Sequence, residues 1–311
     1  MNNRQCANIL LSNDNILIVT HKNPDGDTVA SAAALCSALR RAGKTAYLFE
    51  NPQISEKLSL YAAKFFAPDG FEPMYTVAVD VATENMLSRG FKGKTDFCID
   101  HHPTNSHYAA EYFVRSKKSS CAEIVLDVIL GMNETVSEEE ATLLYIGLST
   151  DTGCFQYSNT NSDTFRAASE LLKYGADNVE VNTLFFRKVS RARLMLESML
   201  YSGMKFYRDG KIAVATVTLD MLEKAGANED DCDDLAGLAG RAEGSIVNIT
   251  IREQADGSSK ISVRTTEEVS SIEICAVFGG GGHAMAAGCT IFGSPDKARE
   301  MLLNVIDEVW K

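Results

Sequence analysis

The chain has no run approaching the roughly 20 apolar residues that a helix needs to span a bilayer. Its first residues, Met1-Asn2-Asn3-Arg4-Gln5, lack the basic-then-apolar layout of a signal peptide, and the expectation is a cytoplasmic protein. No two of its eight cysteines form a C-x-x-C pair, which argues against a zinc cluster and points to free thiols in a reducing compartment. Positive charge is in deficit: 30 Lys and Arg against 42 Asp and Glu leave a formal charge of −12. That is the wrong sign for broad, sequence-independent binding of long nucleic acid, where a basic surface supplies most of the affinity. A small anionic substrate held by cations and a few basic side chains is not excluded. Repeats and low-complexity tracts are absent, and 311 residues are long for one core, so two domains are expected.

What is present is a series of strands that end in acid or imidazole. The apolar run Ile16-Leu17-Ile18-Val19 leads into Thr20-His21-Lys22-Asn23-Pro24-Asp25-Gly26-Asp27, and an alanine-rich helix follows over residues 28–42. Taken alone, Pro24 to Asp27 is equally well a polar turn with an Asp helix cap. The rest of the chain decides. Thr45 to Phe49 reads as a second strand, Tyr75 to Val79 as a third ending in Asp80, and Asp96 to Ile99 as another ending in Asp100-His101-His102. Parallel strands joined by helices would bring these ends to one sheet edge, where ligand crevices form. Helices are expected over 122–130, 138–149, 164–174 and 179–186, the first and third closed by Gly131 and Gly175 as C′ glycines. Between the second and third, Ser149-Thr150-Asp151-Thr152-Gly153 reads as a turn presenting a further carboxylate.

A connecting helix is expected over 191–202, and beyond it the pattern changes to strand 212–217, helices 219–225 and 232–239, and strands 245–251 and 260–264 paired through the Asp256-Gly257 turn. The segment 272–278, the run Gly279-Gly280-Gly281-Gly282-His283, a strand near 289–292 and a final helix over 295–310 complete the chain. The fold class is therefore α/β, a mostly parallel N-terminal sheet with flanking helices plus a smaller C-terminal α/β domain.

Of the five histidines (His21, His101, His102, His107 and His283), none sits on an apolar helical face as a core histidine would. The groups collected at the proposed edge are His21, Asp25, Asp27, Asp80, His101 and Asp151. Mixed imidazole and carboxylate donors suit borderline-hard divalent ions such as Mn²⁺, with Mg²⁺ and Co²⁺ as alternatives. Six groups exceed one open catalytic ion and suit two, with Asp80 on a central strand as the bridge. Two such ions about 3.5–4 Å apart activate water and stabilise an in-line displacement at phosphorus, so phosphate ester hydrolysis is the expected reaction. Four aspartates formally offset two divalent cations, and a polyanionic substrate then requires further donors. Arg264, the glycine run with its backbone amides (Gly280, Gly281, Gly282) and His283 are the candidates. Arg115, Lys117 and Lys118 read as a solvated face.

Asp100-His101-His102, preceded by His21-x-x-x-Asp25-x-Asp27 and flanked by Asp80 and Asp151, resembles the DHH phosphoesterase family. Ser262-Val263-Arg264-Thr265 and the glycine run before His283 resemble its DHHA1 substrate-binding domain. The resemblance covers nearly the whole chain and implies a DHH catalytic domain over 1–190, a connecting helix over 191–205 and a DHHA1 domain over 206–311. It implies one Mn²⁺ on His21, Asp25 and Asp80 and another on Asp27, Asp80, His101 and Asp151. It also implies an orienting Asp100 outside the ligand set, His102 toward the substrate phosphate, and Arg264 and His283 on the far end of the substrate. Alternation along a strand would send His101 and His102 opposite ways, in keeping with those roles. Two-domain members of this size hydrolyse short oligoribonucleotides from the 3′ end and 3′-phosphoadenosine-5′-phosphate (pAp), while related ones act on cyclic di-AMP or pApA. A catalytically idle nucleotide-binding regulator is the competing reading from another class, and complete ligands argue against it. The sequence is compatible with a homodimer and implies no membrane partner.

Overall fold

The computed structural model describes residues 1–132, 135–228, 230–232, 235–266 and 268–310. Contacts divide the chain into Met1–Lys188 and Val189–Lys311.

The first unit begins with helix α1 (Asn3–Ser12), strand β1 (Ile16–Val19), helix α2 (Gly26–Arg41), strand β2 (Ala46–Leu48) and helix α3 (Glu56–Ala62). Strands β3 (Tyr75–Val79), β4 (Phe97–Asp100) and β5 (Glu111–Val114) follow. Helices α4 (Cys121–Gly131), α5 (Glu138–Asp151), α6 (Ser162–Lys173) and α7 (Asn178–Asn182) complete it. The five strands form one sheet in the order β2-β1-β3-β4-β5, with every pairing parallel. Strand order reverses between β1 and β3, and in such sheets the crevice opens beyond the carboxyl ends of the strands at the reversal. His21 follows β1 and Asp80 follows β3, so the two stand at the reversal itself.

Helix α2 is buried from Gly26 to Ala34 without a break, because its alanines let it lie close to both the sheet and α5. Glycines mark the close approach: a Cβ at Gly147 of α5 would stand 2.7 Å from Asp27 Oδ1 and 2.9 Å from the Ala122 Cβ, and one at Gly26 of α2 would stand 2.3 Å from Thr150 Oγ1. Thr28 Oγ1 donates to the Val79 carbonyl at 2.8 Å, fixing the start of α2 to the end of β3. Capping boxes start α1 (Asn2 with Gln5) and α5 (Ser137 with Glu140), each satisfying amides that a helix N-terminus leaves free.

The second unit comprises α8 (Arg191–Gly203), β6 (Lys205–Tyr207), β7 (Ile212–Val217), α9 (Leu219–Ala225), β8 (Val247–Glu253) and β9 (Ser258–Thr265). It ends with α10 (Ser271–Ala276), β10 (Gly281–His283), β11 (Ala286–Phe292) and α11 (Pro295–Val309). Its sheet runs β10-β11-β9-β8-β7-β6, antiparallel except between β7 and β8. Ile249, Ile251, Val263, Ile274, Leu302 and Ile306 belong to its core. No helix among the described residues is long and apolar enough to cross a membrane.

Several local expectations change. Gly131 is the last residue of α4 rather than a C′ glycine; a Cβ there would lie 3.0 Å from the Asn3 carbonyl, so close packing on α1 accounts for it. Gly175, at φ +91°, is the expected left-handed C′ residue. Asp151 is the last residue of α5, not part of a turn. In place of a helix over 232–239, the described residues form 3₁₀ turns at Asp230–Cys232, Leu235–Gly237 and Ala239–Arg241, and residues 233 and 234 lie outside the described set.

Candidate metal centre

Three of the five parallel strands, β1, β3 and β4, lead into segments that carry donors: His21, Asp80 and His101. Asp25 caps α2, its Oδ1 accepting from the Thr28 amide at 3.1 Å. Asp27 in the first turn of α2 accepts from the Cys121 and Ala122 amides at 2.6 and 3.0 Å and from Ser31 Oγ at 2.9 Å. Its carboxylate thus sits on the amides that open α4, where a helix N-terminus favours negative charge. Asp80 adopts φ +61°, a left-handed conformation that Asp tolerates better than most residues.

These residues converge. Donor atoms of His21, Asp25 and Asp80 lie within 4.8 Å of one another, as do those of Asp27, His101 and Asp151. Asp80 is common to both sides: Oδ2 is 3.8 Å from His21 Nε2 and Oδ1 is 3.4 Å from His101 Nε2. His21 Nε2 to Asp25 Oδ2 is 3.5 Å and His101 Nε2 to Asp151 Oδ2 is 3.6 Å. Such separations are long for hydrogen bonds, yet two donors each about 2.1 Å from a shared cation stand roughly 3–3.6 Å apart. Among the described residues, Asp80 Oδ1 and Asp151 Oδ2 are buried in the cluster with no hydrogen-bond partner, and orphaned polar atoms of this kind are rare without an ion or water to satisfy them. The donor set therefore fits divalent cations.

Electrostatics agree with the geometry. Burial pushes the Asp80 carboxyl well above the usual range, and the charges of Asp27, Asp25, Asp100 and Asp151 push it further. Asp151 is raised to about 8, by burial first and then by the charges of Asp27 and Asp25. So many carboxylates in one place are costly for the protein alone, and cations would relieve the cost.

His101 and His102 do not diverge. Both follow the last residue of β4, where strand alternation no longer applies, and their ring centroids are 4.5 Å apart. His102 Nδ1 lies 2.7 Å from Asp100 Oδ1 and 3.5 Å from Asp80 Oδ1. Asp100 is fully buried and also accepts from the His101 amide at 2.8 Å and from Asn105 Nδ2 at 2.6 Å. Burial opposes ionisation of Asp100, but the hydrogen bonds from His102 and Asn105 outweigh it and hold the carboxyl below its usual range. The same Asp100 bond raises the pKa of His102. Asn105 carries no motif that marks it in the sequence, although an amide three residues beyond a buried Asp-His-His is a natural source of such a bond.

In the second unit, Arg264 pairs across β9–β11 with Ala286, which pairs across β10–β11 with His283. Directly opposed antiparallel residues share a face, so Arg264 and His283 lie on one face with only the small Ala286 between them. Asn248 of β8 pairs with Arg264 on that face, and its buried Oδ1 has no hydrogen-bond partner among the described residues. Nothing in the sequence singled it out. The glycine run is not a loose loop. Gly280 donates its amide to the Cys275 carbonyl at 3.0 Å and is therefore no free phosphate donor. A Cβ at Gly280 would stand 2.3 Å from the Gly288 carbonyl, and one at Gly282, at φ +147°, 2.4 Å from the Ala286 carbonyl. Close packing on β11 explains both glycines, while Gly281 has open space around it.

Comparison with known proteins gives the same picture. The family model described as DHH family, N-terminal domain, matches residues 15–148, and that of the DHHA1 domain matches residues 209–311. The bifunctional oligoribonuclease and PAP phosphatase NrnA of Thermus thermophilus is 35% identical over 308 residues, covering 94% of this chain and 89% of that protein. Its counterpart from Bacillus subtilis is 27% identical over 300 residues, covering 94% of each. A crystal structure of an exopolyphosphatase-related protein from Bacteroides fragilis shares the fold, with a TM-score of 0.88 at 23% identity, over 98% of this chain and 96% of that one. The chain belongs to the DHH phosphoesterase family, with a DHH domain followed by a DHHA1 domain.

Proposed function

We propose that the chain is a metal-dependent hydrolase of very short oligoribonucleotides and of pAp, loaded with two divalent cations, Mn²⁺ in the first instance. One observation carries this reading: Asp80, buried at the reversal of strand order, faces His21 on one side and His101 on the other. We assign His21, Asp25 and Asp80 to one cation and Asp27, Asp80, His101 and Asp151 to the other. Cations bound there would supply the Lewis-acid charge that activates water and offsets the phosphate. Asp27 keeps its carboxylate fixed through the Cys121 and Ala122 amides. Asp100 holds His102 through Nδ1 and favours its protonated form, so the opposite ring nitrogen can donate to a phosphate oxygen. Arg264, His283 and the open Gly281 are assigned to substrate binding in the second unit, with Gly280 and Gly282 shaping the hairpin. The activities in the names of the Thermus and Bacillus relatives support the choice of substrates.

The test is incubation of the chain with Mn²⁺ and, separately, pAp, a 5′-phosphorylated diadenylate, cyclic di-AMP and pyrophosphate, with products separated by chromatography. Mononucleotides from the dinucleotide together with AMP from pAp are expected. Preferential opening of cyclic di-AMP would move the protein to signalling turnover, and no hydrolysis of any substrate would favour the idle regulator.

A further inference from the structure

We propose that a cavity in the first unit, beside His102, is a nucleotide subsite: a base stacks on the paired rings of His107 and Tyr112 while Arg115 takes a phosphate of the same nucleotide. It rests on the reading of the adjoining centre as one that acts on nucleotide phosphates. The cavity measures about 320 Å³, and its walls include His102, Asn105, His107, Tyr112, Phe113 and Arg115. That is within the size range of small-molecule sites.

Three features give it this chemistry. The rings of His107 and Tyr112 stack with centroids 4.0 Å apart and planes 10° from parallel, and Tyr112 is 44% exposed. An exposed aromatic face accepts any base, since every base has a π-face, and the discrimination it gives is small. Second, Arg115 stands at the carboxyl edge of the sheet, its amide donating to the Asp100 carbonyl at 3.0 Å. Its guanidinium lies 4.0 Å from the Phe113 ring centroid and donates to the Val114 and Met1 carbonyls. Neither acceptor carries charge, so the cation is not neutralised by them and remains suited to a phosphate. Lys118, grouped with it on sequence grounds, is by contrast paired with Asp127 at 3.1 Å.

Third, the platform is fastened to the centre. His107 holds φ +54°, a conformation that costs a non-glycine residue energy, and its amide donates to Asn105 Oδ1 at 2.8 Å. Asn105 in turn donates to Asp100 Oδ2 at 2.6 Å, and Asp100 holds His102. One hydrogen-bonded chain thus fixes the stacking rings relative to His102, which is what a subsite flanking the reacting phosphate requires.

The experiment is calorimetric titration of AMP and, separately, ribose 5-phosphate into the Mn²⁺-loaded full chain carrying Arg264→Ala, which silences the second unit's candidate site. AMP is a product of both proposed reactions and is not consumed. Adding Tyr112→Ala is expected to weaken AMP binding by about 5- to 150-fold, the range for loss of one base–aromatic stack, and to leave ribose 5-phosphate unaffected. Tyr112→Phe should restore AMP binding, and Arg115→Ala should weaken both ligands. Equal AMP binding with and without the Tyr112 ring, or equal losses for AMP and ribose 5-phosphate in Tyr112→Ala, would overturn the subsite. Dinucleotide hydrolysis by the otherwise unaltered chain is read in parallel. Hydrolysis without Tyr112-dependent AMP binding removes the subsite and keeps the reaction; the reverse keeps the subsite and removes the reaction.

Discussion

Replacing Asp80 with Asn should make the metal-free protein more stable while removing its response to metal. Asn fills the same volume and tolerates the left-handed backbone at φ +61°, whereas Ala would add backbone strain of roughly 1–2 kcal/mol. A carboxylate oxygen of Asp80 lies within 4.8 Å of one from Asp25. At that distance two unit charges repel by about 1 kcal/mol in water and about 3 kcal/mol at an effective dielectric of 20. Asp25 has a side chain 60% exposed, which places its share near the lower figure; burial of Asp80 adds to it. Relief of about 2 kcal/mol corresponds to a rise in Tm of roughly 4–8 °C. Because Asp80, Asp27 and Asp151 are raised in the folded state, the stability they contribute is fully present below the unfolded carboxyl pKa and is lost as pH rises through the folded values, about 8 for Asp151. The advantage of the variant should therefore be larger at pH 8 than at pH 5. The assay is thermal unfolding in chelator at both pH values, repeated with Mn²⁺ in excess. Wild type should gain about 2.7 kcal/mol for each cation at a metal concentration of 100 Kd, and the variant far less. A variant that melts below wild type in chelator, or matches its gain from Mn²⁺, would refute the convergence of charge at Asp80.

Gly147→Ala pushes a methyl against Asp27 and Ala122; an overpacking cost of about 1–3 kcal/mol exceeds the gain of up to about 1 kcal/mol in helix propensity, so denaturant melts should show net loss together with weaker Mn²⁺ binding. Gly203→Ala in α8 meets nothing within 4 Å and should instead stabilise by up to about 1 kcal/mol, and the same sign for both would contradict the packing of α5 on α2. Asp100→Asn removes the charged partner of His102 and should lower kcat about 10- to 100-fold, with bound metal measured by elemental analysis unchanged; loss of metal would make Asp100 part of the ligand framework. Arg264→Ala and His283→Ala should raise KM for the dinucleotide with metal content intact, and a metal-depleted variant would count against assigning these residues to substrate.

The positions of His21, Asp25, Asp27, Asp80 and His101 were legible in the sequence because one rule covers them. A short, mostly apolar strand pattern followed by a donor marks the carboxyl end of a buried parallel strand, and such ends share an edge. The rule stopped where a strand does not look buried. Glu111–Val114 is exposed at two of its four positions and has two polar-tipped residues, so its pattern does not mark β5 as a strand, and Arg115 at its end reads as surface charge. Close approach was equally invisible: Gly131 was taken for a helix stop because a C′ glycine and a packing glycine are the same letter, and only the Asn3 carbonyl 3.0 Å from its absent Cβ separates them. The glycines before His283 belong to the same class. Their number suggests a phosphate cradle, but Gly280 and Gly282 are required by the β11 backbone beneath them, and the proposed role of that hairpin rests on its register. Register is a long-range property: Asn248, Arg264, Ala286 and His283 come from four strands spread over 39 positions, and only sheet pairing puts them in one row. Local pattern therefore points to the candidate metal centre, whose donors lie at strand ends, and leaves the proposed substrate face open, because that face is assembled across strands and the chemistry of each residue in isolation does not say which neighbour it will meet.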